Sequence, residues 1–246
     1  MLHDMAIGLD QRPQEEIART LAEAQIEAAR AVLSATEAIC AGARALARAI
    51  ERGGRLYYVA AGSAGLMAAA DALELGGTFS IPPDQVRIVM AGGLPTSARM
   101  PGDTEDESGA LDAALSALTA RDVMIAVSAS GATPFTLAAA KIAKARGAKV
   151  VALANNRGAP LLGLADVAVL LETPPELIAG STRLGAATAQ KIALNMMSTL
   201  MAVELGHIHD GMMVNLTADN AKLRKRALGI VQTISGVGAD AARAAL

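Results

Sequence analysis

The chain has 246 residues, of which 52% are hydrophobic but only 2% aromatic, and its formal net charge is -2. This near-neutral balance, with no stripe of basic residues interleaved with aromatics, excludes the usual electrostatic footprint of a nucleic-acid-binding protein. The single cysteine, Cys40, excludes an internal disulfide framework.

The start of the chain, MLHDMAIGLDQRPQEE, lacks the basic residues and apolar core of a signal peptide. No apolar segment approaches the roughly 18 uninterrupted residues that a membrane span needs. We therefore expect a soluble, cytoplasmic protein with neither nucleic acid nor membrane as a partner. Cys40 lies in an Ala-rich helical pattern, which indicates a buried, inert thiol rather than a nucleophile.

The first predicted element is a helix from Pro13 to about Glu51, followed by Gly53-Gly54. Five short apolar runs rich in β-branched residues then predict strands: Arg55 to Ala60, Gln85 to Ala91, Asp122 to Val127, Lys149 to Ala154 and Val167 to Leu171. Segments of helical composition lie between and after them: Ala64 to Leu75, Glu107 to Leu118, Pro134 to Ala145, about Thr182 to Leu205 and about Ala218 to Ile234.

Alternating strands and helices are typical of βαβ units. We therefore expect an α/β fold with a doubly wound, mainly parallel five-stranded sheet flanked by helices, and extra helices at both termini. A single domain is expected over 1–246, with an N-terminal helical segment at 1–52, an α/β core at 53–175 and C-terminal helices at 176–246. The terminal helices are expected to pack around the sheet or against a second subunit.

Two of the predicted strands end in turns suited to an anion. The first turn contains Gly62 and Ser63; the second, SASGATP, contains Ser128, Ser130, Gly131 and Thr133. Glycine lets the backbone approach a ligand, a helix N-terminus offers free N–H groups, and hydroxyls add donors. Ser and Thr are also ordinary helix caps, but two such turns in one parallel sheet favour a phosphate site. Neither turn has a Walker lysine, and AAGSAG is an incomplete dinucleotide fingerprint.

The turn SASGATP resembles the phosphosugar-binding turn of sugar isomerase (SIS) domains. The stretch PELIAGSTRL at 175–184, followed by ATAQK at 187–191 and LNM at 194–196, is similar to the signature of the N-acetylmuramic acid 6-phosphate etherases, which the glucokinase regulatory protein shares. The match continues at Met213-Val214, Asn220, Lys222-Leu223 and Arg226, so that it covers about 53–231. The resemblance implies a SIS-type fold and a phosphorylated sugar as the ligand, with Ser181 and Thr182 added to the turn residues that bind it.

Members of this family cleave the lactyl ether of N-acetylmuramic acid 6-phosphate to N-acetylglucosamine 6-phosphate and lactate, with no metal or redox cofactor. They use two glutamates, which the resemblance places at Glu74 and at Glu105 of the acidic segment Asp103 to Asp106. It implies that Glu74 protonates the leaving group and Glu105 removes the C2 proton, in a site closed by dimerisation. A homodimer or higher homo-oligomer is therefore expected.

Without the resemblance, both glutamates have plainer interpretations. Glu74 would be a solvated residue near the end of a helix. Glu105 would be a first-turn glutamate favoured by the helix dipole, with Asp103 or Thr104 as the cap.

Several positions depart from the etherase pattern. Leu66 and Ala132 stand where the family has arginines, Gly185 where it has a lysine, and Leu75-Gly76-Gly77 where it has Cys-Pro-Pro. Ser128 matches the generic SIS turn instead of the alanine of the etherases. Two alternatives therefore stay open: an aldose–ketose phosphosugar isomerase, which would need only the C2 deprotonation, and a non-catalytic phosphosugar-binding regulatory module.

Two further clusters contain residue types that occur in functional sites, one of histidines and one of basic residues. His207, His209 and Asp210 lie in GHIHDG, but no third and fourth metal ligand is evident, so the end of a helix and a turn are predicted there and no metal is expected. A basic run predicts a solvated helix face, one member of which could reach a phosphate in a neighbouring subunit: Lys222, Arg224, Lys225 and Arg226.

Overall fold

A five-stranded parallel sheet forms the centre of the computed structural model, which describes residues 2–100, 104–105 and 109–246. Its strands are β1 (Leu56–Ala60), β2 (Val86–Met90), β3 (Val123–Ser128), β4 (Lys149–Ala154) and β5 (Val167–Leu170). They lie in the order β2-β1-β3-β4-β5, with every adjacent pair parallel. The predicted α/β class and all five predicted strands are confirmed, with boundaries that differ by at most one residue at either end.

Helices precede, connect and follow the strands. Within the described residues they are α1 (Gln14–Arg30), α2 (Thr36–Glu51), α3 (Gly62–Phe79), α4 (Leu111–Ala114), α5 (Pro134–Ala145), α6 (Pro160–Gly163), α7 (Gly185–Glu204), α8 (Ala221–Ser235) and α9 (Ala239–Ala245). Short 3-10 turns occupy Leu9–Gln11, Ala31–Ala35 and Pro83–Gln85. No helix in the described ranges has both the length and the apolar character required to cross a lipid bilayer.

The sheet has a hydrophobic core on each face, because successive side chains of a strand point to opposite sides. Leu56, Tyr58, Ile125 and Val127 pack with α2, α3 and α7. Tyr57, Val59, Met124 and Ala126 pack on the other face with α4, α5 and α6. Because helices cover both faces of the sheet, the strand sequences are continuous apolar runs and do not alternate between apolar and polar residues.

The long N-terminal helix predicted from Pro13 to Glu51 is divided into two. Between α1 and α2 the backbone tightens into the 3-10 turn Ala31–Ala35. The Ser34 hydroxyl donates to the Ala31 carbonyl at 2.9 Å, and the Thr36 hydroxyl donates to the Leu33 carbonyl at 2.8 Å. Such local side-chain bonds compete with the regular helical ladder, and since no Gly or Pro marks the break, the apolar periodicity alone did not reveal it.

Two other predictions need correction. In place of a helix from Glu107 to Leu118, the described residues form only the single turn α4, and 106–108 lie outside the described ranges. The GHIHDG segment, predicted as the end of a helix and a turn, also contains a two-residue antiparallel hairpin, β6 (Ile208–His209) with β7 (Met212–Met213). The two residues between these strands, Asp210 and Gly211, both have positive φ, at +48° and +75°, which suits the tight turn of the hairpin.

A buried carboxylate joins the sheet to two of its covering helices. Asp71 of α3 is only 4% exposed. It accepts hydrogen bonds from the Tyr58 hydroxyl of β1 at 2.8 Å, from Asn195 Nδ2 of α7 at 2.7 Å and from the Ser198 hydroxyl of α7 at 2.8 Å. Burial, followed by the charge and the hydrogen bond of Asp71, raises the pKa of Tyr58 well above its ordinary value. The network therefore holds the orientation of α3 relative to α7.

Candidate active site at the carboxyl edge of the sheet

The turns that follow β1, β3, β4 and β5 meet at one edge of the sheet, because all the strands are parallel. The helices α3 and α5 begin directly after the first two of these turns, at Gly62 and Pro134. The partial positive charges of both helix N-termini, and the first N–H groups of α3, face the same edge. This is where ligands bind in open parallel sheets.

The Ser128 hydroxyl lies within hydrogen-bonding reach of the other two hydroxyls of SASGATP. The Ser128 hydroxyl lies 2.8 Å from that of Thr133 and 3.4 Å from that of Ser130, and it accepts the N–H of Gly131 at 3.0 Å. Ser128 is buried, Thr133 is half-buried and Ser130 is exposed. Ser128 therefore shapes the turn from inside, which leaves Ser130 and Thr133 as the members able to contact a ligand.

Gly131 lets the turn pack tightly against the loop after β4. Its φ is +64°, in the left-handed region, and a Cβ there would overlap the methyl group of Ala159. The Gly131 carbonyl accepts the N–H of Leu161 at 3.0 Å, and the Ala129 carbonyl accepts the N–H of Asn155 at 3.0 Å. The two loops consequently form one continuous wall.

Glu105 lies against the first residue of α3. A Cβ built on Gly62 would come within 2.6 Å of Glu105 Oε1, and the Gly62 φ of +55° also favours glycine. The Glu105 carbonyl accepts the N–H of Phe135, in the first turn of α5, at 3.0 Å. The fold therefore brings this carboxylate to the place where the two predicted anion-binding turns meet.

An open cavity of about 390 Å³ lies beside the SASGATP turn, between the loops after β3, β4 and β5 and the start of α7. It contains Ser130 and Thr182, two of the predicted binding residues, together with Asn155, Asn156 and Thr173, which the sequence patterns did not single out. Asn155 Oδ1 accepts from Gln190 Nε2 at 2.9 Å, so Asn155 Nδ2 is turned toward the Thr173 hydroxyl, at 3.4 Å. Asn155 and Asn156 are adjacent and directly follow β4, and this position is the sequence signal that could have identified them as candidate binding residues.

Glu176 caps α7 from the wall of this cavity. Its two carboxylate oxygens accept the N–H groups of Gly185 at 2.8 Å and Ala186 at 2.9 Å. A carboxylate on these free amides neutralises the positive end of the helix dipole. Glu176 lies in the family signature, but the sequence does not predict its role as a cap. It precedes the start of α7 by nine residues, and no short-range sequence pattern marks a cap at that distance.

A bidentate ion pair spans the outer rim of the two loops. Arg157 Nε and Nη2 donate to the two carboxylate oxygens of Glu172 at 2.9 Å and 2.7 Å. These hydrogen bonds lower the pKa of Glu172 from its ordinary value. The pair ties the loop after β4 to the end of β5.

The remaining predicted residues lie apart from this cluster to different degrees. Ser63 is half-buried in the first turn of α3, and Ser181 is half-buried just before α7 but does not line the cavity. Glu74 is exposed on α3, twelve residues after Gly62, which corresponds to about 18 Å along the helix axis. Asp103 and Asp106, predicted near Glu105, lie outside the described residues.

A second cavity, of about 440 Å³, lies beyond Thr104 at the end of β2. The described residues that line it are apolar or small, among them Met90, Leu111 and Phe135, and include no ionisable side chain. The polar edge formed by the hydroxyl turn and Glu105 is therefore the better candidate for a charged substrate. Among the described residues, no three His, Cys, Asp or Glu side chains are grouped closely enough to hold a metal.

Comparison with known proteins agrees with this architecture. The SIS domain family matches residues 21–155. An N-acetylmuramic acid 6-phosphate etherase of Deinococcus radiodurans is 45% identical over all of this chain and 81% of its own length, and one of Rubrobacter xylanophilus is 40% identical over 97% of this chain and 80% of its own length. The structure of the Vibrio vulnificus NanR protein complexed with ManNAc-6P superposes with a TM-score of 0.59 and 14% identity, over 94% of this chain and 72% of that one.

Proposed function

The chain belongs to the family of N-acetylmuramic acid 6-phosphate etherases, and we propose that it cleaves the lactyl ether of N-acetylmuramic acid 6-phosphate, giving N-acetylglucosamine 6-phosphate and lactate. The observation that supports the proposal is the position of Glu105. Its carboxylate lies against Gly62 at the N-terminus of α3, and its backbone carbonyl accepts a hydrogen bond from the N–H of Phe135 in α5. A base held there is next to the place where two helix N-termini would receive a phosphate.

The substrate phosphate is assigned to the two turns. The first amides of α3 can donate to it, and the hydroxyls of Ser130 and Thr133 add two more donors from the turn that Ser128 holds in shape. Helix α5 contributes mainly the positive end of its dipole, because Pro134 has no N–H and the N–H of Phe135 donates to the Glu105 carbonyl. Donors fixed in advance lose little entropy on binding, which supports tight recognition of the anion. Asn155 Nδ2, in the adjoining cavity, has a second N–H besides the one turned toward Thr173, and we assign it to the remaining polar groups of the sugar.

The reaction needs one base and one acid. In the ring-opened sugar the C1 aldehyde acidifies the C2 proton, and Glu105 takes that proton. The electron pair forms the C2–C3 double bond as the C3–O bond breaks, and the departing lactate oxygen takes a proton from Glu74. Water then adds at C3 and a proton returns to C2, which gives N-acetylglucosamine 6-phosphate.

Both glutamates serve one site only if a second copy of the chain takes part. Glu74 lies about 18 Å along α3 from Gly62, whereas Glu105 is in contact with Gly62. Leu73, next to Glu74, is 68% exposed, and Leu66, two turns earlier on the same face, is 36% exposed. An apolar strip of α7 that includes Ile192, Met196 and Leu200 is also partly exposed. We propose that these surfaces pack in a homodimer that brings Glu74 of one copy to Glu105 of the other.

Lactate release from N-acetylmuramic acid 6-phosphate tests the activity, and two single variants test the roles. Glu74→Gln and Glu105→Gln are each expected to abolish turnover, whereas Glu23→Gln, a matched change of an exposed carboxyl on α1, should leave it unchanged. No lactate from the unaltered protein, under conditions where an authentic etherase releases it, would exclude this substrate.

Mixing the two inactive variants tests the shared site. If each site uses one glutamate from each copy, half of the dimers re-formed from equal amounts are hybrids with one intact site of two, so about a quarter of the activity returns. If both glutamates act within one copy, mixing restores nothing. That result would refute the arrangement without refuting the activity.

A second candidate, an aldose–ketose phosphosugar isomerase, is supported by the same separation of Glu74 from the turns. Isomerisation needs the C2 base but no acid for a leaving group, so a single copy would contain the essential carboxylate. Retained turnover of a sugar phosphate by Glu74→Gln, together with its loss in Glu105→Gln, would favour this reaction over ether cleavage.

A further inference from the structure

A basic depression lies at the opposite edge of the sheet, where β3, β4 and β5 begin. Its volume is about 310 Å³. Five of the twelve residues that line it are cationic: Arg44, Arg48, Arg52, Arg121 and Lys149. We call this set the basal pocket. Its other walls are mainly small apolar residues, among them Ala41, Ala45 and Ala49 of α2 and Val123 and Val167 of the strands.

Three separate elements bring these charges together. Arg44, Arg48 and Arg52 recur every four residues at the C-terminal end of α2, so they share one face of the helix. Arg121 precedes β3, and Lys149 opens β4 opposite Val123 in the register of the sheet. All five side chains are exposed. Only the parallel pairing of the strands brings the last two beside α2.

Two carboxylates close to the basal pocket are engaged elsewhere. Asp122 lines it, but one oxygen accepts the N–H of Arg55 at 2.7 Å and the other accepts the N–H and the hydroxyl of Thr119 at 2.6 Å and 2.9 Å. Asp166 pairs with Lys144 at 3.0 Å and accepts the N–H of Val150 at 2.8 Å. Within the described part of the chain, none of the five cations forms an ion pair.

An unneutralised group of this kind favours an anionic occupant. Like charges four residues apart on a helix repel each other, and a bound anion turns that repulsion into attraction. Guanidinium groups match phosphate oxygens with two parallel hydrogen bonds, so three arginines on one helix face suit a ligand with more than one phosphate. The volume lies at the lower end of the range for small-molecule pockets, about 300–1,000 Å³, which suits a compact ligand.

We propose that the basal pocket binds a small polyanion that carries at least two phosphate groups. The apolar floor of alanines and valines leaves room for a small organic body beside the phosphates. The pocket is separated from the hydroxyl turns by the length of β3, about 17 Å for its six residues. It is therefore a second site, and the proposal does not depend on the etherase activity.

Pyrophosphate is the probe that isolates the shared chemistry. Its binding is measured by calorimetry and by thermal unfolding at constant ionic strength, with ATP and orthophosphate in parallel. Pyrophosphate and ATP are expected to bind more tightly than orthophosphate, since each engages several of the cations at once. Equal affinity for orthophosphate, or no binding of pyrophosphate, would overturn the proposal.

Charge reversal locates the site. Arg48→Glu places a carboxylate one helical turn from both Arg44 and Arg52, so the variant gains favourable pairs and should remain folded. It is expected to weaken pyrophosphate binding by about tenfold or more, the effect of losing a charged hydrogen bond. Arg121→Glu, on a different element, should do the same.

The matched control is Lys141→Glu on the exposed face of α5, which does not line the basal pocket. It changes the net charge by the same amount and should leave the affinity unchanged. An equal loss in all three variants would mean that the anion responds to net charge and not to the basal pocket, which contradicts the proposal.

Discussion

Replacing Gly62 with alanine tests the contact on which the proposed mechanism depends. The added Cβ would lie 2.6 Å from Glu105 Oε1, whereas ordinary contact begins at 3.4 Å. The carboxylate must therefore retreat by about 0.8 Å, while the turns proposed to bind the phosphate stay where the sheet holds them. The expected result is a misplaced base in an otherwise folded protein.

Two separate effects contribute, and their magnitudes differ. A misplacement of about 1 Å in a catalytic group can cost about a hundredfold in rate, so we expect kcat/KM for lactate release to fall between tenfold and about a hundredfold. The left-handed φ of +55° adds a conformational cost of about 1–2 kcal/mol for alanine, which corresponds to a fall in Tm of about 2–8 °C. Stability should thus change modestly and activity strongly.

Gly53→Ala separates these effects. Gly53 has a similar φ of +67° but nothing within 4 Å of its Cβ position. It should show the loss in Tm without the loss in kcat/KM. Steady-state kinetics and thermal unfolding of the two variants, side by side, provide the measurement. If Gly62→Ala retained the same kcat/KM as Gly53→Ala, Glu105 would not be the base and the reasoning would fail.

Three further predictions concern the turn, the helix cap and the buried network. Ser128→Ala should destabilise the protein by about 0.5–1.5 kcal/mol in denaturant unfolding, because the hydroxyl loses its hydrogen bonds with Thr133 and Gly131 while the Gly131 N–H keeps the Ser128 carbonyl, whereas Ser130→Ala should weaken sugar phosphate binding with little change in stability. Glu176→Gln should lower Tm through loss of the charged cap on α7, a loss that high salt should diminish if the dipole is the cause. Because its pKa is raised, Tyr58 holds its proton more firmly in the native state than in the unfolded state. The contribution of protonated Tyr58 to the free energy of unfolding is therefore complete below pH 10.0 and is lost as the pH rises above that value. Tyr58→Phe should therefore be less stable at neutral pH but should lack that alkaline decline, and an unchanged pH profile would contradict the assignment.

Much of the architecture followed from local sequence. The apolar runs rich in β-branched residues determined the positions of the five strands. Helix α5 was predicted with both boundaries correct, because Pro134 occupies its first turn and Ala-rich residues follow as far as Ala145. The hydroxyl turn after β3 was also evident, since its residues are adjacent in the chain. Signals of this kind depend only on neighbours a few residues apart, so a single sequence contains them.

The site itself depended on contacts between distant segments. No pattern relates Glu105 to Gly62, Glu176 to the amides of α7, or Arg121 to the arginines of α2; packing of the helices on the sheet brings each of these together. For Glu74 the opposite holds: the family resemblance predicted that it acts together with Glu105. The helix α3, however, places Glu74 far from the two turns of its own chain. The sequence by itself therefore determined which elements form and which residue types end them. The tertiary structure alone decided which side chains meet, because a parallel sheet joins strand ends that are separated in sequence by whole helices.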